Sequence, residues 1–172
     1  MYYRTRTYLA GDWTGDADLI QAIKRWNDSD RWGLSFSDAH DLTESRDTSL
    51  PCSIKKSLST RLDASKTFVL IVGKHTDALT KGSCQYCDNY SAYFSKCNKN
   101  MHADYRSFIK FECEKAVRDN LKIVVIYNDT IINKSLCPEC IKNTGNHISG
   151  KYIGTDWGIY WNYTAIKNAI ED

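Results

Sequence analysis

The sequence predicts a single α/β domain, an open parallel sheet of flavodoxin-like type with helices on both faces and a cysteine-bearing insertion. Three observations lead there. Strand-like and helix-like segments alternate through most of the 172 residues, which implies right-handed βαβ crossovers. Two runs, Thr67-Phe68-Val69-Leu70-Ile71-Val72 and Ile123-Val124-Val125-Ile126-Tyr127, are β-branched or apolar at nearly every position, the pattern of strands covered on both faces. No period of ~20 to 50 residues recurs, so solenoids and propellers are excluded.

The elements follow in order. Arg4 to Ala10 reads as a first strand, closed by the small-residue turn Gly11-Asp12-Trp13-Thr14-Gly15. From Asp16, the residues Leu19, Ile20, Ile23 and Trp26 fall on one helical face, and Asn27-Asp28-Ser29-Asp30 ends that helix with turn formers. Trp32 to Phe36 is expected as the second strand. Ser49 is a good N-cap with Pro51 soon inside, and Ile54, Leu58 and Leu62 repeat along the helix that follows. Thr67 to Val72 is a central strand. Tyr105 to Asn120 is helical by period, with Ile109, Cys113, Ala116 and Val117 inward, and it leads into the second central strand, Ile123 to Tyr127. Tyr163, Ile166 and Ile170 suit a closing helix, and fold regularity places a fifth strand within Ile148 to Trp157. Residues 1–172 thus form one domain. Two connections, 74–104 and 128–154, far exceed the usual ~2 to 6 residues, and the first is treated as an insertion.

Composition removes several classes of function. A content of 42% hydrophobic and 26% charged residues, with 2 Pro and 9 Gly, is that of a folded globular chain. Lys+Arg 23 against Asp+Glu 21 leaves +2 without a segregated basic block, so there is no electrostatic case for nucleic acid. Residues 1–10 lack an apolar signal core, and no window approaches ~18 uninterrupted apolar residues. The expectation is a soluble cytoplasmic protein without a membrane partner. Seven cysteines in such a chain point to reduced thiols or a metal in place of a closed disulfide framework.

Open parallel sheets bind ligands at the carboxyl ends of their strands. Here those ends are Gly11-Asp12-Trp13, Ser37-Asp38, Gly73-Lys74-His75 and Asn128-Asp129, a polar rim with several carboxylates. Asp is also a preferred turn residue, so Asp12 and Asp38 taken singly have a purely local reading. A phosphoacceptor receiver needs an acidic pair after the first strand and an aspartate ending the third, where this chain has Val72-Gly73-Lys74-His75. A flavin carrier needs a hydroxyl-rich phosphate loop where Asp12 and Asp16 stand. No P-loop and no G-x-G-x-x-G occurs, so nucleotide hydrolysis and hydride transfer lack their phosphate cradle. Glu112 lies beside the inward stripe of its helix, where partial loss of water raises a carboxyl pKa. It is expected at the mouth of a nucleotide-sized cleft, half shielded; the local alternative is a helix-edge pair with Lys115.

The run Ser107-Phe108-Ile109-Lys110-Phe111-Glu112-Cys113-Glu114-Lys115-Ala116, followed by Lys122 to Tyr127, resembles the aromatic-x-x-x-Glu helix and next strand of TIR domains. The stretch Ser49 to Thr76 is similar to the TIR-like subunit of Thoeris anti-phage systems and its signal-transduction relatives. The resemblance implies an enzyme that cleaves the nicotinamide–ribose bond of NAD, with Glu112 as the family glutamate that contacts the ribose and favours the oxocarbenium-like state. It further implies a cyclic or otherwise rearranged ADP-ribose messenger that activates a downstream effector, a phage-derived trigger, a homo-oligomer, and NAD as substrate with no cofactor required for catalysis. Asp12 and Trp13 would border the pocket, and Asp47 and Ser49 would lie near the loop that gates it. The first strand ends Leu9-Ala10-Gly11-Asp12-Trp13 and not in the hydroxyl- and aromatic-rich sequence usual in TIR domains, and the cysteine-bearing insertion is atypical. The competing class is a catalytically silent TIR-like interaction module.

Cys84-Gln85-Tyr86-Cys87 and Cys137-Pro138-Glu139-Cys140 have the C-x-x-C spacing that lets two thiolates grip one tetrahedral zinc. The pairs sit in the two long connections, so the expectation is one structural zinc held by Cys84, Cys87, Cys137 and Cys140, with Cys97 as a substitute ligand. Unligated reduced thiols are the alternative. Cys52 and Cys113 read as core residues.

Overall fold

The computed structural model describes residues 4–39, 50–99 and 102–172. In chain order the elements are β1 (Arg6–Ala10), α1 (Ala17–Asn27), α2 (Pro51–Asp63), β2 (Ser65–Val72), β3 (Tyr90–Ser91), β4 (Lys96–Cys97), α3 (Phe108–Arg118), β5 (Lys122–Tyr127), β6 (Asn146–Ser149), β7 (Lys151–Ile153), β8 (Ile159–Trp161) and α4 (Tyr163–Glu171). The main sheet runs β1-β2-β5-β6, parallel throughout. Outside β1 a single parallel bridge joins Thr7 to Asp38. With that bridge as a vestigial strand, the order is the flavodoxin-like one.

Residues alternate between two cores, as the pleat requires. Tyr8, Phe68, Leu70, Val125 and Tyr127 face α2 and α3, where Leu58, Leu62, Ile109, Cys113 and Ala116 meet them. Leu9, Val69, Ile71, Val124 and Ile126 face α1 and α4, against Leu19, Ile20, Ile23, Ile166 and Ile170. β2 is buried on both faces from Thr67 to Val72, which is why its sequence is apolar without a gap.

Several boundaries differ from expectation for local reasons. Trp32 to Phe36 is irregular: the Phe36 amide donates to Asn27 Oδ1 at 2.7 Å, the Ser35 amide to Glu171 Oε1 at 3.1 Å, and Gly33 turns the chain at φ +66°. Side chains take the donors that a strand would offer to its ladder. The cap of α2 is Leu50 in extended backbone with Pro51 first in the helix, whereas Ser49 lies outside the described residues. α3 starts at Phe108 because Ser107 Oγ accepts from the Lys110 amide at 3.2 Å. The fifth parallel strand is β6, beginning at Asn146, and the chain beyond it folds into the antiparallel β7–β8 hairpin. Gly145 admits the chain to β6: its φ is +85°, and a Cβ there would lie 2.4 Å from the Ile123 carbonyl oxygen. Among the described residues no helix is long and apolar enough to cross a membrane.

Candidate functional site

Glu112 lies on the second turn of α3, turned toward the sheet. Tyr8, at the middle of β1, is fully enclosed, its ring stacked on Phe68 at 5.8 Å, and its hydroxyl donates to Glu112 Oε1. Arg61, on the last turn of α2, is buried close enough to act on the same carboxyl. The Glu112 residue is only 6% exposed. Burial pushes its pKa up to about 7, against the opposing pull of the Tyr8 hydroxyl and the Arg61 charge. Burial also holds the Tyr8 phenol well above its ordinary range, reinforced by the carboxyl it faces. The carboxyl is thus enclosed more completely than the half-shielded edge position expected of it. Lys115 is not its partner: that ammonium pairs with Asp63 at 2.7 Å and Asp119 at 2.6 Å.

The rim at the end of β1 is organised separately, on the α1 side. Asp12 Oδ1 accepts from the Thr14 amide at 3.0 Å, a turn contact of the local kind. The exposed Trp13 ring has Lys24 Nζ 4.7 Å from its centroid. Behind them Asp16 is buried, and Asn128 Nδ2 donates to Asp16 Oδ1 and Asp18 Oδ1, both at 2.9 Å. Burial raises the Asp16 pKa, with the Asn128 bond opposing it and the Asp12 and Asp18 charges adding to it. Gly73 is obligatory beside this carboxylate, since a Cβ would fall 2.1 Å from Asp16 Oδ1. So Asp12 and Trp13 belong to the α1 layer, Glu112 to the α2–α3 layer, and Asp47 and Ser49 fall outside the described residues.

An open cleft of about 470 Å³ lies at the N-terminal end of α3, lined by Ala103, Asp104, Tyr105, Arg106 and Lys110. Glu112 is not part of its lining. Its wall is pinned from below: Lys55 Nζ donates to the carbonyls of Asp104 and Arg106 at 3.2 and 2.7 Å. Arg106 in turn pairs with Asp104 at 2.8 Å and Glu114 at 2.9 Å.

The cysteine pairs go to different places. Cys84 and Cys87 flank a tight turn closed by the Cys87 amide on the Cys84 carbonyl at 3.0 Å. Cys97 stands opposite Tyr90 in the β3–β4 hairpin beside it. Cys137 and Cys140 pack against the α2–α3 core instead, where Cys140 hydrogen-bonds Cys113 and Cys137 hydrogen-bonds Tyr127. Cys84, Cys87, Cys137 and Cys140 are thus not grouped as one four-sulfur centre among the described residues. Among the described residues no group of three or more His, Cys, Asp or Glu is arranged to hold a metal ion.

Comparison with known families returns residues 8–81, matched by the model of the Thoeris protein ThsB, TIR-like domain. That stretch, somewhat less than half of the chain, is similar to the TIR-like domain of the Thoeris type. No curated protein matches the chain. The TIR-like match runs from β1 through β2 and includes Tyr8, Asp12, Trp13 and Arg61, and it ends before α3 and Glu112. Two residues that reasoning from the sequence passed over, Tyr8 and Arg61, had a readable signal. Arg61 falls three residues after Leu58 on the inward stripe of α2, and Tyr8 shares its strand face with Ala10. A carboxyl on a buried stripe needs such donors.

Proposed function

We propose that the chain is a TIR-type signalling enzyme of anti-phage defence, which breaks the nicotinamide–ribose bond of NAD and releases an ADP-ribose-derived messenger for a partner effector. The observation that supports this reading is the Glu112 carboxyl on α3, buried and hydrogen-bonded by the Tyr8 hydroxyl, where burial pushes its pKa up to about 7. In the reaction the C–N bond breaks, nicotinamide leaves with the electron pair, and positive charge develops on the ribose ring. A carboxylate in a water-poor site opposes that charge far more strongly than it would in solvent. Attack at the ribose carbon by water, or by another atom of the ADP-ribose, completes the step without a cofactor. Asp12 and Trp13 enter the proposal as rim residues at the end of β1, and Asp47 and Ser49 through the resemblance alone. The second reading, a silent interaction module, is favoured by the enclosure of Glu112 on Tyr8.

Incubating the purified protein with NAD, with and without phage lysate, and measuring nicotinamide release separates the two. Wild-type protein is expected to release nicotinamide, and Glu112→Gln to lose roughly 100-fold or more of that rate. A variant as fast as wild type removes Glu112 from catalysis. A wild-type protein inert under every condition leaves the interaction module.

A further inference from the structure

Three sulfurs gather where the connection between β5 and β6 folds back over α3. Cys113 is 0% exposed and Cys137 2%, and both belong to the core between the sheet and α2 and α3. Cys140 packs against the edge of that core and is half-buried, so it is the sulfur that meets solvent. The closest pairing crosses elements: Cys140 hydrogen-bonds Cys113 on α3, whereas Cys137 hydrogen-bonds Tyr127 on β5. The paired sulfurs are therefore not the two of the C-x-x-C spacing but one of them and a helix residue.

The connection is folded so as to keep Cys140 there. The Cys137 amide donates to the Lys134 carbonyl at 3.2 Å and the Ile141 amide to the Pro138 carbonyl at 3.0 Å, and Ile141 is itself fully buried in the same core. Two turns and an apolar anchor thus hold the thiol against α3.

The two sulfurs are suited to different parts. A peroxide is attacked by a thiolate with access to solvent. The hydrogen bond with Cys113 favours that form at Cys140, with burial and Glu114 opposing it and Lys110 adding to it. The same contact, together with burial, keeps Cys113 a thiol. We propose that Cys140 and Cys113 form a redox modification site, at which a hydroperoxide oxidises Cys140 and Cys113 then closes a disulfide.

The Cys140 sulfur attacks a peroxide oxygen, the O–O bond breaks, and the leaving oxygen takes up the proton that Cys140 had released. Cys140 is then a sulfenic acid. The Cys113 sulfur displaces its hydroxyl, which departs as water with the Cys113 proton. Two thiols become one disulfide, and the peroxide accepts the two electrons. The new bond ties α3, one residue beyond Glu112, to the β5–β6 connection.

Reduced full-length protein treated with hydrogen peroxide tests this without NAD, so it stands or falls separately from the enzymatic reading. Peptide mapping by mass spectrometry without reductant is expected to show Cys113 joined to Cys140, with the loss of two hydrogens. Closing that loop should raise the melting temperature by about 5 °C or more, and a dithiol should reverse both changes. Cys140→Ser, at the half-buried position, is expected to abolish the cross-link and the rise in melting. Cys113→Ser should instead leave a Cys140 sulfenic acid that dimedone traps. Wild-type Cys140 that runs on to sulfinic acid, or pairs with Cys137, overturns the proposal. So does a protein whose thiols resist peroxide, whether outright or until a chelator strips a bound metal.

Discussion

At Glu112 two neighbours, Tyr8 and Arg61, and the loss of water set the chemistry. The folded carboxyl titrates near 7 against an ordinary 4.5, so between those values the folded protein binds more protons than the unfolded chain. Stability then falls as pH rises: the contribution is complete below about 4.5 and gone above about 7, on the order of 3 kcal/mol in all. Urea denaturation at pH 5 and pH 8 should show this slope in wild type and its loss in Glu112→Gln. Tyr8→Phe removes the bond that holds the carboxyl down. That variant is expected to lose about 1 to 3 kcal/mol from the stranded acceptor and to move the pH profile of nicotinamide release to higher pH. At this scale the sequence was half legible. The helical stripe exposed Glu112, but its donor lies 104 positions away, and no local spacing encodes that distance.

Among the elements, those with a buried face were readable because burial imposes a period. α1, α2, α3, β2 and β5 all stand where their apolar residues repeat. β6, β7 and β8 bury little and carry no alternation, so their positions emerge only from the fold. The turns around them are unforgiving. Gly145→Ala forces a Cβ against the Ile123 carbonyl at positive φ and is expected to destabilise by about 1 to 3 kcal/mol, measurable as a lower urea midpoint. The thiols offer a second check, because spacing alone suggested a metal that the elements do not bring together. Alkylation of the native protein, mapped by mass spectrometry, should reach Cys140 and Cys87 well before the buried Cys84, Cys97, Cys113 and Cys137. Cys140 leads because its hydrogen bond with Cys113 favours the thiolate.

For the molecule as a whole, strand alternation identified the parallel sheet, and the residues 8–81 that match a known family are those building its first half. What remained hidden is how the halves meet: Tyr8 and Arg61 come from the matched half, Glu112 from the other. The sheet order has a bearing on synthesis. β1 pairs with β2, Thr7 opposite Thr67, and β2 with β5, Thr67 opposite Lys122, so each ladder waits for a segment made much later in the chain. A nascent chain released only through Arg118 would carry the Phe68–Val72 run with one side bare, a sticky template for its neighbours on the polysome. The fragment 1–118 should accordingly scatter light and pellet where the complete chain does not, which makes β5 the late-arriving strand that covers the exposed edge of β2.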